Sequence, residues 1–413
     1  MKKKQSSTVP IIACLVVMVC IGIIYAWSAL RARTMQYFGW DATAATLVAS
    51  FMLFAFCVGN FVGGALNDRI GPKTVGFIGV GMFGVGVLLS SFIPSSMNPN
   101  TSVILFYITF GVIGGLGVGI GYGAILACMQ KWLPHRRGFA TGLAAGSFGF
   151  STFVFSFVIK AMLGSMAVNT TLMLLAIIFL VIGIVACVFI RLPDEEYLAS
   201  LPKIAPAKNA TVSQENLTLG QAMKTLPFWC LFLSIFFYNG TWNMLNPIIK
   251  DLAVNERGLS DGLATLLLSL TGLANAAGRL IMSSASDKLG RIPTCQILSV
   301  VTIICALLLM FVPGIGYFIV VLLTAFAFGG PAAINPATST DFFGPKYAGT
   351  NYGIIMMSLG FSSIIFNAIA GKLDALGMNQ WRFIMGAITA VINIVIFVII
   401  DRSLRKKRAA QAQ

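Results

Sequence analysis

Charge is scarce in this sequence. Only 10% of its 413 residues are Asp, Glu, Lys or Arg, while 57% are hydrophobic. Soluble globular proteins carry roughly 25% and 45–50% respectively. A soluble protein of this length needs charged surface to stay in water, so a large soluble domain and a disordered chain are both excluded. Acid is scarcer still, 13 Asp and Glu against 28 Lys and Arg, which leaves a net charge of +15. Nucleic-acid binding would need those cations on one face, and they are instead spread through the short segments between apolar runs. One histidine, His135, lies beside Arg136 and Arg137 and cannot build a metal site alone. The eight cysteines (14, 20, 57, 128, 187, 230, 295 and 305) stand singly in apolar runs, without metal-ligand or redox spacing. They read as small buried hydrophobes. No G-x-x-x-x-G-K-[ST] segment occurs, so no ATP-driven step is encoded. No nucleophile–base arrangement is visible either. The expectation is no catalytic residue, no cofactor and no metal.

What the chain does have is long apolar runs. A membrane span needs about 20 mostly apolar residues, and twelve candidates occur. They lie near 10–30, 43–66, 74–94, 103–128, 139–163 and 168–190, then near 226–249, 262–286, 294–312, 315–339, 350–371 and 381–400. In lipid these runs must be helices, because an open sheet edge would leave backbone groups unpaired. The expected fold is an all-α integral membrane protein of twelve helices, with the lipid bilayer as its solvent. One long polar stretch, 192–225, carries Asp194, Glu195, Glu196 and several Lys. It reads as a linker between a bundle at 1–191 and a bundle at 226–413. With the N-terminus inside, the inner segments hold 20 of the 28 Lys and Arg and the outer segments seven. This bias puts both termini in the cytoplasm. The Lys-rich start resembles a signal peptide, but its apolar run is too long and eleven more follow.

The two halves repeat. Gly64-Ala-Leu-Asn-Asp68-Arg69-Ile-Gly71-Pro-Lys73 returns as Ser283-Ser-Ala-Ser-Asp287-Lys288-Leu-Gly290-Arg291, 219 residues on. Trp132-Leu-Pro134-His-Arg136-Arg137-Gly138 returns as Phe343-Gly-Pro345-Lys346-Tyr-Ala-Gly349, 211 residues on. Parallel six-span repeats are one transporter architecture, with the site near the midplane at the repeat interface. The Gly64–Lys73 segment resembles the loop 2–3 signature of the major facilitator superfamily, and 283–291 its second-half copy. The Phe228-Trp229, Ala276-Ala-Gly278-Arg279 and Thr350-Asn351-Tyr352-Gly353 segments resemble the oxalate/formate antiporter and monocarboxylate porter branch. The resemblance implies two six-helix bundles related by a pseudo-two-fold axis, and alternating access between them. It further implies that Asp68, among Arg69 and Lys73, caps a facing helix as a breakable latch, with Asp287, Lys288 and Arg291 as the matching latch. Spans one, four, seven and ten would line the cavity, which nominates Tyr25, Trp27, Tyr122 and Trp242. For Tyr25 and Trp27 an interfacial aromatic belt is the competing reading.

Two glycine patterns, Gly79-Val-Gly81-Met-Phe-Gly84 and Gly119-Ile-Gly121-Tyr-Gly-Ala124, imitate a dinucleotide fingerprint. They lie inside apolar runs with no acidic residue about 20 positions on, so they read as helix-packing glycines. Arg279 carries the sharpest signal, as the one Lys or Arg inside a span and away from its ends. It lies eight residues before Asp287, about 12 Å in at 1.5 Å per residue. Thr265, Ser269, Gly272, Asn275, Ala276 and Ser283 share its face at helical spacing, and Asn275 is its expected hydrogen-bond partner one turn earlier. Charge in a span is costly and usually functional, and a guanidinium fits a carboxylate bidentately. The expectation is a secondary transporter of a small carboxylate anion in the inner membrane, working as a monomer by proton symport or anion exchange. Asp251, Glu256 and Asp261 are the carboxylates nominated for proton coupling with Arg279. Oxalate exchangers of the branch carry a lysine in span eleven, and here Ile354–Gly360 has none. A monocarboxylate such as formate, lactate or pyruvate is therefore favoured over a dicarboxylate, with a transporter-like carboxylate sensor as the rival.

Overall fold

A computed structural model describes residues 7–22, 27–201, 216–245, 249–378 and 380–411. The first half holds α1 (Thr8–Ile21), α2 (Trp27–Phe38), α3 (Ala42–Ile70), α4 (Pro72–Ser91), α5 (Pro99–Trp132), α6 (Arg137–Ser165) and α7 (Val168–Val188). The second holds α8 (Leu226–Leu245), α9 (Ile249–Asn255), α10 (Asp261–Leu289), α11 (Arg291–Leu308), α12 (Gly314–Phe343), α13 (Ala348–Ala375) and α14 (Gln380–Gln411). Among the described residues ten helices, α3 to α7 and α10 to α14, are long and apolar enough to cross a bilayer. With α1 and α8, each of the twelve apolar runs carries a helix. Short helices at Glu195–Ser200 and Leu219–Ala222 flank the linker residues that lie outside the described set.

Local chemistry sets the helix ends. Asp41 caps α3 by accepting from the Ala44 N–H at 2.7 Å, and Ser260 caps α10 through the Leu263 N–H. Pro72 and Pro99 open α4 and α5, where a missing N–H costs nothing. Between α3 and α4 the chain turns on Gly71 at φ 80°, and between α10 and α11 on Gly290 at φ 96°. Only glycine takes that region without strain, and the two are 219 residues apart like the motifs they close. Inside α5, Tyr107–Gly114 widens into a π-helical stretch.

By contacts the chain divides into two compact units. The first comprises Met1–Pro134, Ser147–Ile204 and Ala348–Gly353, and the second His135–Gly146, Ala205–Tyr347 and Ile354–Gln413. Each unit thus takes in one short segment from the opposite half of the sequence: the start of α13 in the first, the start of α6 in the second. In the first unit α5 packs against α3 and α4 with its glycines at the contacts. A Cβ on Gly119 would meet the Phe56 and Asn60 backbone, and one on Gly79 would meet Gly121. Both imitation fingerprints are therefore helix-packing surfaces. In the second unit α10 and α12 approach in the same way, Gly278 against Phe326 and Gly329 against Asn275.

Candidate functional site

The two repeated motifs build the same device in each unit. In the second unit the start of α6 lies along α10 through a glycine at every fourth position. Gly138 and Gly142 face Ser283, and Gly146 faces Ala276. That close approach lets Asp287 cap α6: its Oδ1 accepts from the Gly138 N–H and its Oδ2 from the Phe139 N–H, both at 2.9 Å. A carboxylate at a helix N-terminus meets both the free N–H groups and the positive end of the dipole. Arg291 Nη1 pairs with Asp287 at 2.7 Å and its Nε with Asp341 at 3.0 Å, while Arg137 holds the other Asp341 oxygen at 2.8 Å. Arg291 also donates to Ser286 at 2.6 Å.

In the first unit the start of α13 lies along α3, with Gly349 against Gly64 and Gly353 against Phe61. Asp68 Oδ2 accepts from Thr350, at 3.1 Å from its N–H and 2.8 Å from its hydroxyl. Among the described residues, no ion pair is made at this copy. By the two offsets, Arg291 corresponds to Pro72, Asp341 to Gln130 and Arg137 to Ala348. Gln130 is buried, and its Oε1 has no hydrogen-bond partner among the described residues. Arg69, Lys73 and Lys288 are exposed, with no ion pair among the described residues.

Arg279 is 4% exposed in α10. Its side chain runs one turn back along the helix, as helical side chains do, so that Nε donates to Asn275 Oδ1 at 2.8 Å. Nη1 donates to the Ala145 carbonyl at 3.2 Å. The glycine spacing of α6 explains that bond, because Gly142 and Gly146 bring the Ala145 turn onto α10. Ser283 bonds back to the Arg279 carbonyl. The Asn275 and Ala145 oxygens, both neutral acceptors, help to fix the plane of the guanidinium. The Thr265 side chain lies outside the described set.

The aromatic candidates differ in setting. Tyr122 is 2% exposed, between Phe56 at 5.3 Å and Phe148 at 4.9 Å. Trp27 is buried against Phe106 and Phe110, and its indole N–H donates to the Ala45 carbonyl at 3.1 Å. Trp242 is half-buried and stacks on Phe328 at 5.1 Å. Tyr25 lies outside the described residues. Glu256 is exposed, and the Asp251 and Asp261 side chains lie outside the described set. His135 is exposed.

Four residues escaped the sequence reading. Arg137 was only one loop cation among several, and Asp341 fell beyond the expected end of span ten, whereas α12 continues to Phe343. Their signal was the offset of 211, which pairs them with Ala348 and Gln130. Asn60 is the third, 219 residues before Arg279. It is 1% exposed, and neither amide atom has a hydrogen-bond partner among the described residues. Arg382 is the fourth. At the outer edge of the twelfth run, and counted with the outer segments in the charge bias, it is 2% exposed and donates to the Ala370 carbonyl at 2.8 Å, near the end of α13.

The Major Facilitator Superfamily model matches residues 12–366 and 231–413. The chain is 26% identical over 336 residues to the oxalate:formate antiporter of Oxalobacter formigenes, covering 80% of this chain and 76% of that one. It is 25% identical over 353 residues to monocarboxylate transporter 13 of Rattus norvegicus, covering 85% and 76%. In structure it is similar to the superfamily transporter FucP in its outward conformation. There the TM-score is 0.70 at 15% identity over 94% of this chain and 98% of that one, a likeness of fold.

Proposed function

Because the chain belongs to the Major Facilitator Superfamily, we propose that it is a secondary active transporter of a small carboxylate anion, with Arg279 as the anion's main binding group. The observation that carries this reading is a guanidinium buried in a membrane-crossing helix and oriented by Asn275 and Ala145. Holding a charge there is costly, and the cost is commonly met where the charge binds a ligand. Five donors in a rigid fork suit the two oxygens of a carboxylate. The oxalate:formate antiporter and monocarboxylate transporter 13 bear names that point to the same substrate class.

The substrate proposed is a monocarboxylate such as formate, lactate or pyruvate, carried through the inner membrane by proton symport or anion exchange. Arg279 balances one carboxylate, and the Ile354–Gly360 stretch holds no cation to balance a second. Alternating access would break and remake the caps at Asp68 and Asp287, each a small coupling free energy of about 1–3 kcal/mol. Tyr122 and Trp242 are proposed as aromatic walls of the path. Oxalate/formate-type exchange is the second reading, favoured by the first of these relatives.

Uptake of labelled formate, lactate, pyruvate and oxalate into proteoliposomes tests the proposal. Monocarboxylate uptake that Arg279→Ala abolishes is the expected result. Exchange confined to preloaded oxalate would select the second reading. Binding without any uptake would make the protein a carboxylate sensor.

A further inference from the structure

The first unit has an open groove of about 580 Å³ where the start of α1, the α3–α4 turn and the end of α7 come together. Its walls include Val9, Ile70, Phe189 and Leu192, and its two charges are Lys73 and Arg191. The apolar residues are well exposed, Ile70 at 47% and Phe189 at 52%. Both cations are exposed, neither has an ion pair among the described residues, and no acidic residue lines the groove.

The groove floor adds to that positive field. Helix α4 starts there at Pro72, its cap Gly71 offers no side-chain acceptor, and no acid lies in the first turn. The starts of α6 and α13 are covered by Asp287 and Asp68, so their positive ends are answered within the fold. The equivalent turn of the second half differs in the charges that follow its glycine. There Lys73 becomes Ile292, and Arg291, which replaces Pro72, is turned inward to Asp287 and Asp341.

The geometry points to a binding site for one anionic phospholipid. Its phosphate lies between Lys73, Arg191 and the start of α4, and an acyl chain runs along Ile70 and Phe189. Charge complementarity selects the headgroup, since two cations with no ion pair among the described residues, beside a helix N-terminus, attract one phosphodiester. The exposed apolar walls select a lipid over a free phosphate ester, which would leave them in water. Position agrees. The groove gathers the ends of spans one, two, three and six, which the basic-residue bias puts at the cytoplasmic leaflet, where anionic lipids and juxtamembrane cations meet. Lys73 thus has a role at the lipid boundary of the first latch, one turn beyond Asp68.

Delipidated full-length protein is to be incubated with mixed vesicles of phosphatidylglycerol and phosphatidylcholine, and the retained lipids counted by native mass spectrometry. Wild type is expected to retain one phosphatidylglycerol selectively. Each cation near a lipid surface is worth about fivefold in affinity, so Lys73→Gln with Arg191→Gln should weaken retention by about 25-fold. Lys73→Arg should keep it, and Phe189→Ser should weaken it with the charges intact. Lys224→Gln with Lys346→Gln, which removes the same charge elsewhere, should leave it unchanged. Equal retention by wild type and the groove double variant would overturn the site. So would an equal loss in the control variant, which would make the attraction diffuse. Competition by glycerol 3-phosphate as effective as that by the lipid would overturn the lipid assignment in favour of a free phosphate ester.

Discussion

Asp68 and Thr350 lie 282 residues apart and are joined twice, since one carboxylate oxygen takes both the backbone N–H and the hydroxyl of Thr350. The bond sits at the first turn of α13, where free N–H groups and the helix dipole favour a negative charge. Asp68→Asn keeps an acceptor for Thr350 and removes the charge. If the pair is the proposed latch, the change should leave substrate binding largely intact and slow transport, because Arg279 is untouched. Thr350→Val should act in the same direction. Binding and turnover measured separately on each variant decide the point, and lost binding with normal turnover per bound substrate would refute the latch.

The second network should tolerate less. Asp341 holds Arg137 and Arg291 at once, all three with side chains only 12–14% exposed. Asp341→Ala strands Arg137 in a partly buried place and leaves Arg291 with Asp287 alone, which should cost on the order of 3 kcal/mol. Asp341→Asn, which retains the oxygen and the shape, should cost clearly less. Thermal unfolding of the purified variants in detergent gives the ranking. Equal stability for wild type and Asp341→Ala would show that the network contributes nothing to the folded state.

Topology can be tested directly. Cysteines placed at Lys203 and Lys346 should be accessible only from the cytoplasm, and those at 95–102 only from outside. All eight native cysteines are buried, so their background with a membrane-impermeant maleimide should be low even before they are replaced. Equal outside labelling of both sets would sink the orientation.

Much of this was legible because the bilayer removes options. Twelve apolar runs had to become helices, and the repeats marked by Asp68 and Asp287 announced two related halves. Asn275 was expected to bond to Arg279, and it does so because i to i+4 spacing is a local property of the helix. What the sequence concealed is long-range. Nothing near Gly138 says that its N–H is held by a carboxylate 149 residues away. Asp341 escaped because hydropathy ended span ten before the helix itself ends. Trp27 shows the opposite difficulty. Its residue type suits a ligand wall, a membrane belt or packing, and only the bond to the Ala45 carbonyl shows where its N–H goes.

Arg279 allows the sharpest test, because the same charge can be kept while the geometry is lost. Its Nε and Nη1 bond in two directions, to Asn275 on its own helix and to Ala145 on α6. A lysine at this position has one nitrogen on a flexible stem and cannot hold both acceptors while presenting a flat, two-pronged edge to a carboxylate. Arg279→Lys should therefore lose most transport although the charge remains. Arg279→Ala should lose all of it while still inserting and folding, since the α6–α10 contact is also held by Asp287 on Gly138 and Phe139. Asn275→Ala should fall between wild type and Arg279→Lys, raising KM more than it lowers the maximal rate, because it removes one of the bonds that orient the guanidinium and keeps the guanidinium itself. Labelled-carboxylate uptake, normalised to the amount of inserted protein, orders the three variants. Wild-type uptake by a well-inserted Arg279→Ala protein would falsify the anion-site assignment.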